Sequence, residues 1–175
     1  WPDGGAMLGW PEGIDFYYAS PIKAALAWPL KGWLGLTNTW NLLTILARMA
    51  TVLCAYGAGR AWGFSRAGSL TIAAAYGCSP FFHGYAVEGI TEGVDGWTLA
   101  LWAWAAGARR PLLAAAGLAL TLLSSWYLGA AGCLLALLAG WSDRRLWWSF
   151  LGVLPVAPML WSFLSAHPPG EPLPD

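Results

Sequence analysis

Residues 111–141, PLLAAAGLALTLLSSWYLGAAGCLLALLAGW, contain no charged side chain. The run is too long for one spanning helix of about 20 residues at ordinary tilt, and short for two. SSWYLG at 124–129 divides it. Two Ser, two aromatics that favour the membrane–water boundary and a Gly suit a tight turn. The pattern predicts two short helices, 111–123 and 128–141.

Composition supports a lipid setting. The chain is 58% hydrophobic and only 10% charged, against about 25% charged in an ordinary soluble domain. Mean hydropathy is +0.52. The 14 Trp suit an interface where the ring meets acyl chains and the N–H meets water. A transmembrane barrel would show short alternating segments, and the chain has none. Cys54, Cys78 and Cys133 each lie in an apolar run and read as packing residues, not a disulfide framework or metal site. A net charge of zero gives no basis for a nucleic-acid partner. The chain starts at Trp1 without a signal-peptide pattern and reads as an internal piece of a longer protein.

Four further spans are expected: 41–59, capped by Thr39 or Asn41; 67–82, ended near Pro80; about 94–108; and 146–164, broken by Pro155 and Pro158. The expected fold class is thus all-α, a polytopic transmembrane helix bundle of about six spans over 41–164. Before it, 1–40 forms an outer-face loop and an interfacial helix. Residues 21–35 carry Lys23, Lys31, Trp28, Trp33 and the interrupting Pro29, which suits a helix lying in the lipid boundary. After it, 165–175 is a Pro-rich tail.

Charge sorts by side. If the helices alternate, Arg60, Arg66, Arg109, Arg110, Arg144 and Arg145 share one face with Asp143 alone for company. Asp3, Glu12, Asp15, Glu88, Glu92, Asp95, Glu171 and Asp175 fall on the other, with Lys23 and Lys31. Positive residues mark the cytoplasmic side, so the acidic loops are expected outside, in the setting of a bacterial inner (plasma) membrane.

Several short motifs recur in one order: WPDG at 1–4, PIKAALAWPLKGWLG at 21–35, NLL at 41–43, SPFF at 79–82, GITEG at 89–93 and WYLG at 126–129. In that order they resemble the bacterial multi-spanning membrane proteins of the GT-C glycosyltransferase superfamily, over residues 1 to about 140. The resemblance implies sugar transfer from a polyprenyl-phosphate-linked donor at the outer membrane face. It also implies an essential acid in a first outer loop, upstream of where this chain begins.

Within HGYAVEGITEGVDGW at 83–97, Glu92 fills the position of the family's loop acid, which makes it the candidate catalytic residue. Glu88, Glu92 and Asp95 are oxygen donors suited to a divalent cation, Mg or Mn, which would stabilise charge on a departing phosphate. A carboxylate there could also take the acceptor's proton. His83, Arg48 and Asp3 are candidate substrate-binding residues. Arg48 lies inside the 41–59 helix, where a charge faces protein or water and its fork suits phosphate. Each has a plainer reading: a solvated outer loop for the acids, an ordinary polar contact for His83, a turn beside Gly4 for Asp3, and a bundle contact for Arg48. The rival to a transferase is a non-enzymatic multi-spanning subunit or transporter portion. A transporter would place ionisable residues at mid-membrane in several helices, and only Arg48 qualifies.

Overall fold

A computed structural model of the chain describes residues 21–81, 95–158 and 161. Among these residues every regular element is helical, with no strand. The first helix, α1, covers Pro21–Leu34 and runs through Pro29 without ending. It stops at Gly35, whose φ of 73° and ψ of 162° belong to a region open essentially to glycine alone.

Helix α2 follows at once, Leu36–Ala61, 26 residues. At 1.5 Å per residue it is about 39 Å long. Among the described residues it alone is long and apolar enough to cross a membrane. Its start corrects one expectation. Neither Thr39 nor Asn41 caps it; both lie inside the helix, and Thr39 is fully buried. The break between α1 and α2 sits at Gly35, where glycine permits the sharp turn.

Helix α3, Arg66–Gly77, is capped by the Ser65 hydroxyl, which accepts from the Gly68 N–H at 3.1 Å. Helix α4 spans Trp97–Gly107, and α5 spans Pro111–Ser124. Helix α6, Trp126–Ser142, begins after Ser125, which is extended (φ −160°, ψ 126°) and whose hydroxyl accepts from Leu128 N–H at 3.3 Å. The apolar run thus divides within SSWYLG as expected, but the break is one serine wide, and the aromatics and Gly129 join the first turn of α6. Of the helix expected over 146–164, the first part is a 3₁₀ helix, Arg144–Val153; a turn follows, and residues 157, 158 and 161 are again helical. Asp143 starts the 3₁₀ helix by accepting from the Arg145 N–H at 3.0 Å.

α2 packs against α3 and α4, α4 against α5, and α5 against α6 and the 3₁₀ helix, while α1 folds back on α2. Small and hydroxyl residues fill the seams. On α2 the buried stripe is Thr39, Leu43, Ala47, Thr51, Ala55, Ala58 and Gly59, recurring mostly at four-residue intervals so that one face is covered. Thr51, Thr121 and Ser124 are buried, and each donates its hydroxyl to the carbonyl four residues back, at 2.8, 2.7 and 2.8 Å. Where α4 crosses α5, a side chain at Gly117 would meet the Trp102 backbone N at 2.8 Å; where the 3₁₀ helix meets α5, one at Gly152 would collide with the Ala115 carbonyl. Trp102, Leu118 and Leu146 are buried in the core, but many other large apolar side chains point outward. Leu46, Met49 and Leu53 on α2, and Leu134, Leu137, Leu138 and Trp141 on α6, are exposed.

Candidate functional site

Two ionisable residues are buried at one end of the bundle. Lys23, in the first turn of α1, and Asp95, just before α4, are each 3% exposed. Helix geometry places Lys23 there: with Ala27 it forms the face that α1 turns inward. The Lys23 ammonium lies 4.9 Å from the centroid of the Trp40 ring, within cation–π range. Burial pushes its pKa below the ordinary 10.5, and the charge of Asp95 opposes that fall. Desolvation disfavours the charged amine, while the nearby carboxylate favours it.

Asp95 is held by its own backbone. Its carbonyl accepts from the N–H of Thr98 at 3.1 Å and from the Thr98 hydroxyl at 2.9 Å. The Tyr76 hydroxyl donates to the Gly96 carbonyl at 3.0 Å, which ties the C-terminal turn of α3 to the start of α4. Lys23 and Asp95 both line a cleft of about 360 Å³ between α1, α2 and the start of α4. Leu26, Leu30, Leu43 and Leu46 supply most of the remaining wall, with Trp97 at the α4 side.

Arg48 is part-buried, and its guanidinium donates to the Gly77 carbonyl at 3.4 Å. A cation at the last carbonyls of a helix satisfies an orphan acceptor and suits the helix dipole. Arg48 therefore faces protein, as its depth in α2 required, and among the described residues its hydrogen bond goes to the architecture of α3.

Of the site residues expected from the sequence, Arg48 and Asp95 fall within the described residues; Asp3, His83, Glu88 and Glu92 lie outside them. Asp95 is buried against the bundle and does not fit a solvated loop. No group of three metal-ligating side chains occurs among the described residues. The charge of Asp95 bears on Lys23. Lys23 itself is the residue that sequence reasoning missed, having been assigned only to an interfacial helix. The readable signal was its register: positions 23, 27 and 30 recur at helical spacing, and the last two are Ala and Leu, so the lysine stands in an apolar stripe.

The chain matches no protein-family model, no curated protein and no solved structure.

Proposed function

We propose that this chain is a membrane-embedded helical part of a glycosyltransferase-like protein, which transfers a sugar from a polyprenyl-phosphate-linked donor at the outer membrane face. The membrane part of this reading is supported by the inverted distribution of side chains. Seams of Gly, Ala, Ser and Thr with outward Leu and Trp are what helices need where lipid, not water, surrounds them. The outer side of α1 carries Trp28 and Trp33, the latter 92% exposed, which suits an interfacial helix. The shorter helices reach across a bilayer in this reading only with local thinning or polar flanks.

One observation carries the donor reading: the cleft is apolar along most of its length and bears a buried Lys23 and Asp95. A lipid phosphate has the complementary chemistry, a long apolar tail and one anionic group. In this reading the tail lies along Leu26, Leu30 and Leu43, and Lys23 meets the phosphate. The sugar's C1–O bond to the phosphate breaks, an acceptor oxygen bonds to C1, the phosphate leaves with the electron pair, and Glu92 takes the acceptor's proton. Lys23 stabilises the leaving charge where little water competes. Asp95 sits beside a lysine and fits poorly as a ligand for a divalent cation, so a Mg or Mn ion belongs in this reading to Glu88 and Glu92, and no step here depends on it. The rival, a non-enzymatic membrane subunit, draws on Arg48, whose bond to the end of α3 is architectural.

The test is sugar transfer by the full-length protein in native membranes. Lys23→Met and Glu92→Gln should each lower turnover about a hundredfold, the scale of losing one charge contact in a transition state. Turnover equal to the parent in both, with the variants inserted and folded, rejects the transferase site.

A further inference from the structure

Arg109 lines a second cavity, and further arginines stand on or beside the turns that surround it, among them Arg60, whose guanidinium donates to the Phe64 carbonyl at 2.8 Å. α2 ends in Arg60 and Ala61 and turns through Trp62 and Gly63; α4 ends at Gly107 and turns through Arg109 and Arg110; α6 ends at Ser142 and turns through Asp143 into Arg144 and Arg145. These three turns enclose one pocket of about 480 Å³, whose lining includes Trp62, Gly107, Arg109, Ser142, Asp143 and Leu146. Trp62 fixes one wall. Its indole N–H donates to the Ala103 carbonyl at 2.9 Å, and it lies so close to Gly107 that a side chain there would meet the ring at 2.7 Å.

The α4–α5 turn is strained at the residue that enters this pocket. Arg109 has φ 55°, a left-handed conformation that glycine adopts freely and that is strained for a residue with a side chain. The turn itself is the usual helix-ending pair of bonds, Arg109 N–H to Ala106 O at 3.0 Å and Arg110 N–H to Ala105 O at 2.9 Å, for which glycine is the common choice. An arginine therefore stands where glycine would be strain-free, and it lines the cavity. Backbone strain of this kind tends to mark functional positions.

We propose that this pocket binds a phosphate-bearing anion of headgroup size. The planar guanidinium of Arg109 matches phosphate oxygens with two parallel N–H donors, and the Ser142 hydroxyl adds a donor. Arg60, Arg66, Arg110, Arg144 and Arg145 stand on or beside the enclosing turns and make the field positive. Asp143 is the one acid on these turns, and its Oδ1 accepts from the Arg145 N–H at 3.0 Å. The volume lies within the range of about 300–1,000 Å³ usual for small-ligand sites, larger than bare phosphate needs. Basic pockets between spanning helices hold anionic headgroups. The proposal rests on the membrane reading and not on the transferase reading, so failure of sugar transfer leaves it standing.

The full chain in a neutral detergent would be titrated, by calorimetry, with short-chain phosphatidylglycerol and separately with inorganic phosphate. Arg109→Gly removes the guanidinium and keeps, even relaxes, the turn, so its melting temperature should not fall. It should bind both ligands roughly tenfold more weakly, the value of one charge-assisted hydrogen bond. Lys31→Gln, outside the pocket, should bind like the parent. Phosphatidylglycerol binding far tighter than phosphate assigns the pocket to lipid; equal binding assigns it to a soluble phosphate compound, and either supports the site. No binding by the parent, unchanged affinity in Arg109→Gly, or an equal loss in Lys31→Gln overturns it.

Discussion

The two polar regions of this bundle handle charge in opposite ways. At the turns after α2, α4 and α6, arginines are many and their neighbours are turns and a pocket to which Arg109, Ser142 and Asp143 add polar groups. At the start of α1 and α4 there are few charges, and Lys23 and Asp95 are buried among leucines. In the first region a charge keeps its solvent, so the sum of charges matters and each one contributes little to folding. In the second, desolvation is severe, so each charge depends on its particular neighbour. The contrast makes measurable claims.

The largest concerns Asp95→Asn. The substitution keeps the shape and removes the charge that favours a protonated Lys23. Removing one charge from a buried neighbourhood of opposite charges costs about 3 kcal/mol, which should appear as a lower denaturant midpoint for the detergent-solubilised chain. Adding Lys23→Met to the same chain should recover most of that loss, since a well-packed apolar replacement of both partners is often neutral. If the single variant unfolds at the parent's midpoint, the two regions do not differ as described.

Much of this contrast was legible in the sequence, and the part that was not has a physical cause. The arginine turns could be read because charge at a helix end is local information: Arg60 and Arg109 follow apolar runs directly, and Arg144 follows one after Ser142 and Asp143. The division of 111–141 was legible for the same reason, since serine at the break can cap the next helix. The Lys23–Asp95 neighbourhood was not, because it joins positions far apart in the chain, and only the return of α1 onto α2 brings them together. The helix starts misled in a specific way. Asn41 looked like a cap, but capping needs a backbone that departs from helical geometry, and Gly35 supplies that departure a turn and a half earlier. The 3₁₀ form of 144–153 was equally hidden: Gly152 must pass the Ala115 carbonyl closely, a tertiary demand with no local trace. The candidate acids Glu88 and Glu92, with His83 and Asp3, lie outside the described residues, so the motif order that singled them out stands on the sequence.

A pH series sharpens the comparison with an effect of intermediate size. Lys23 has its pKa lowered in the folded state by burial, against 10.5 when exposed. The sign follows from proton counting. At low pH both states carry the ammonium, and folding bears the whole burial cost. As pH rises through the lowered value, the folded state releases its proton first, while the unfolded state still holds one. Stability therefore rises with pH over that window, by up to about 1.4 kcal/mol per unit, and levels off above 10.5. Other groups titrate in alkali as well, so the quantity to follow is the difference in unfolding free energy between the parent and Lys23→Met. A difference that stays flat up to pH 11 would mean that Lys23 is hydrated like the arginines at the other end.

The smallest effect has the opposite sign and isolates the arginine end. Arg109→Gly deletes a charge, as Asp95→Asn does, but it should stabilise the fold. The φ of 55° at Arg109 costs a side-chain-bearing residue about 1 kcal/mol that glycine does not bear. Part of this gain is offset because glycine is freer in the unfolded chain, so the net rise should be a few tenths to about 1 kcal/mol. Losing the guanidinium subtracts little, since Arg109 sits at a turn with five like charges on or beside the neighbouring turns and its removal lowers their mutual repulsion. The measurement is the melting temperature in neutral detergent without added phosphate or anionic lipid, conditions in which no ligand raises the parent's stability. A rise of a degree or more alongside a fall in Asp95→Asn would establish that deleting one charge has opposite consequences at the two ends. A fall in Arg109→Gly comparable to that in Asp95→Asn would mean that Arg109 makes a structural contact as demanding as the buried pair, and that the strain at its backbone is offset by that contact and not by a ligand.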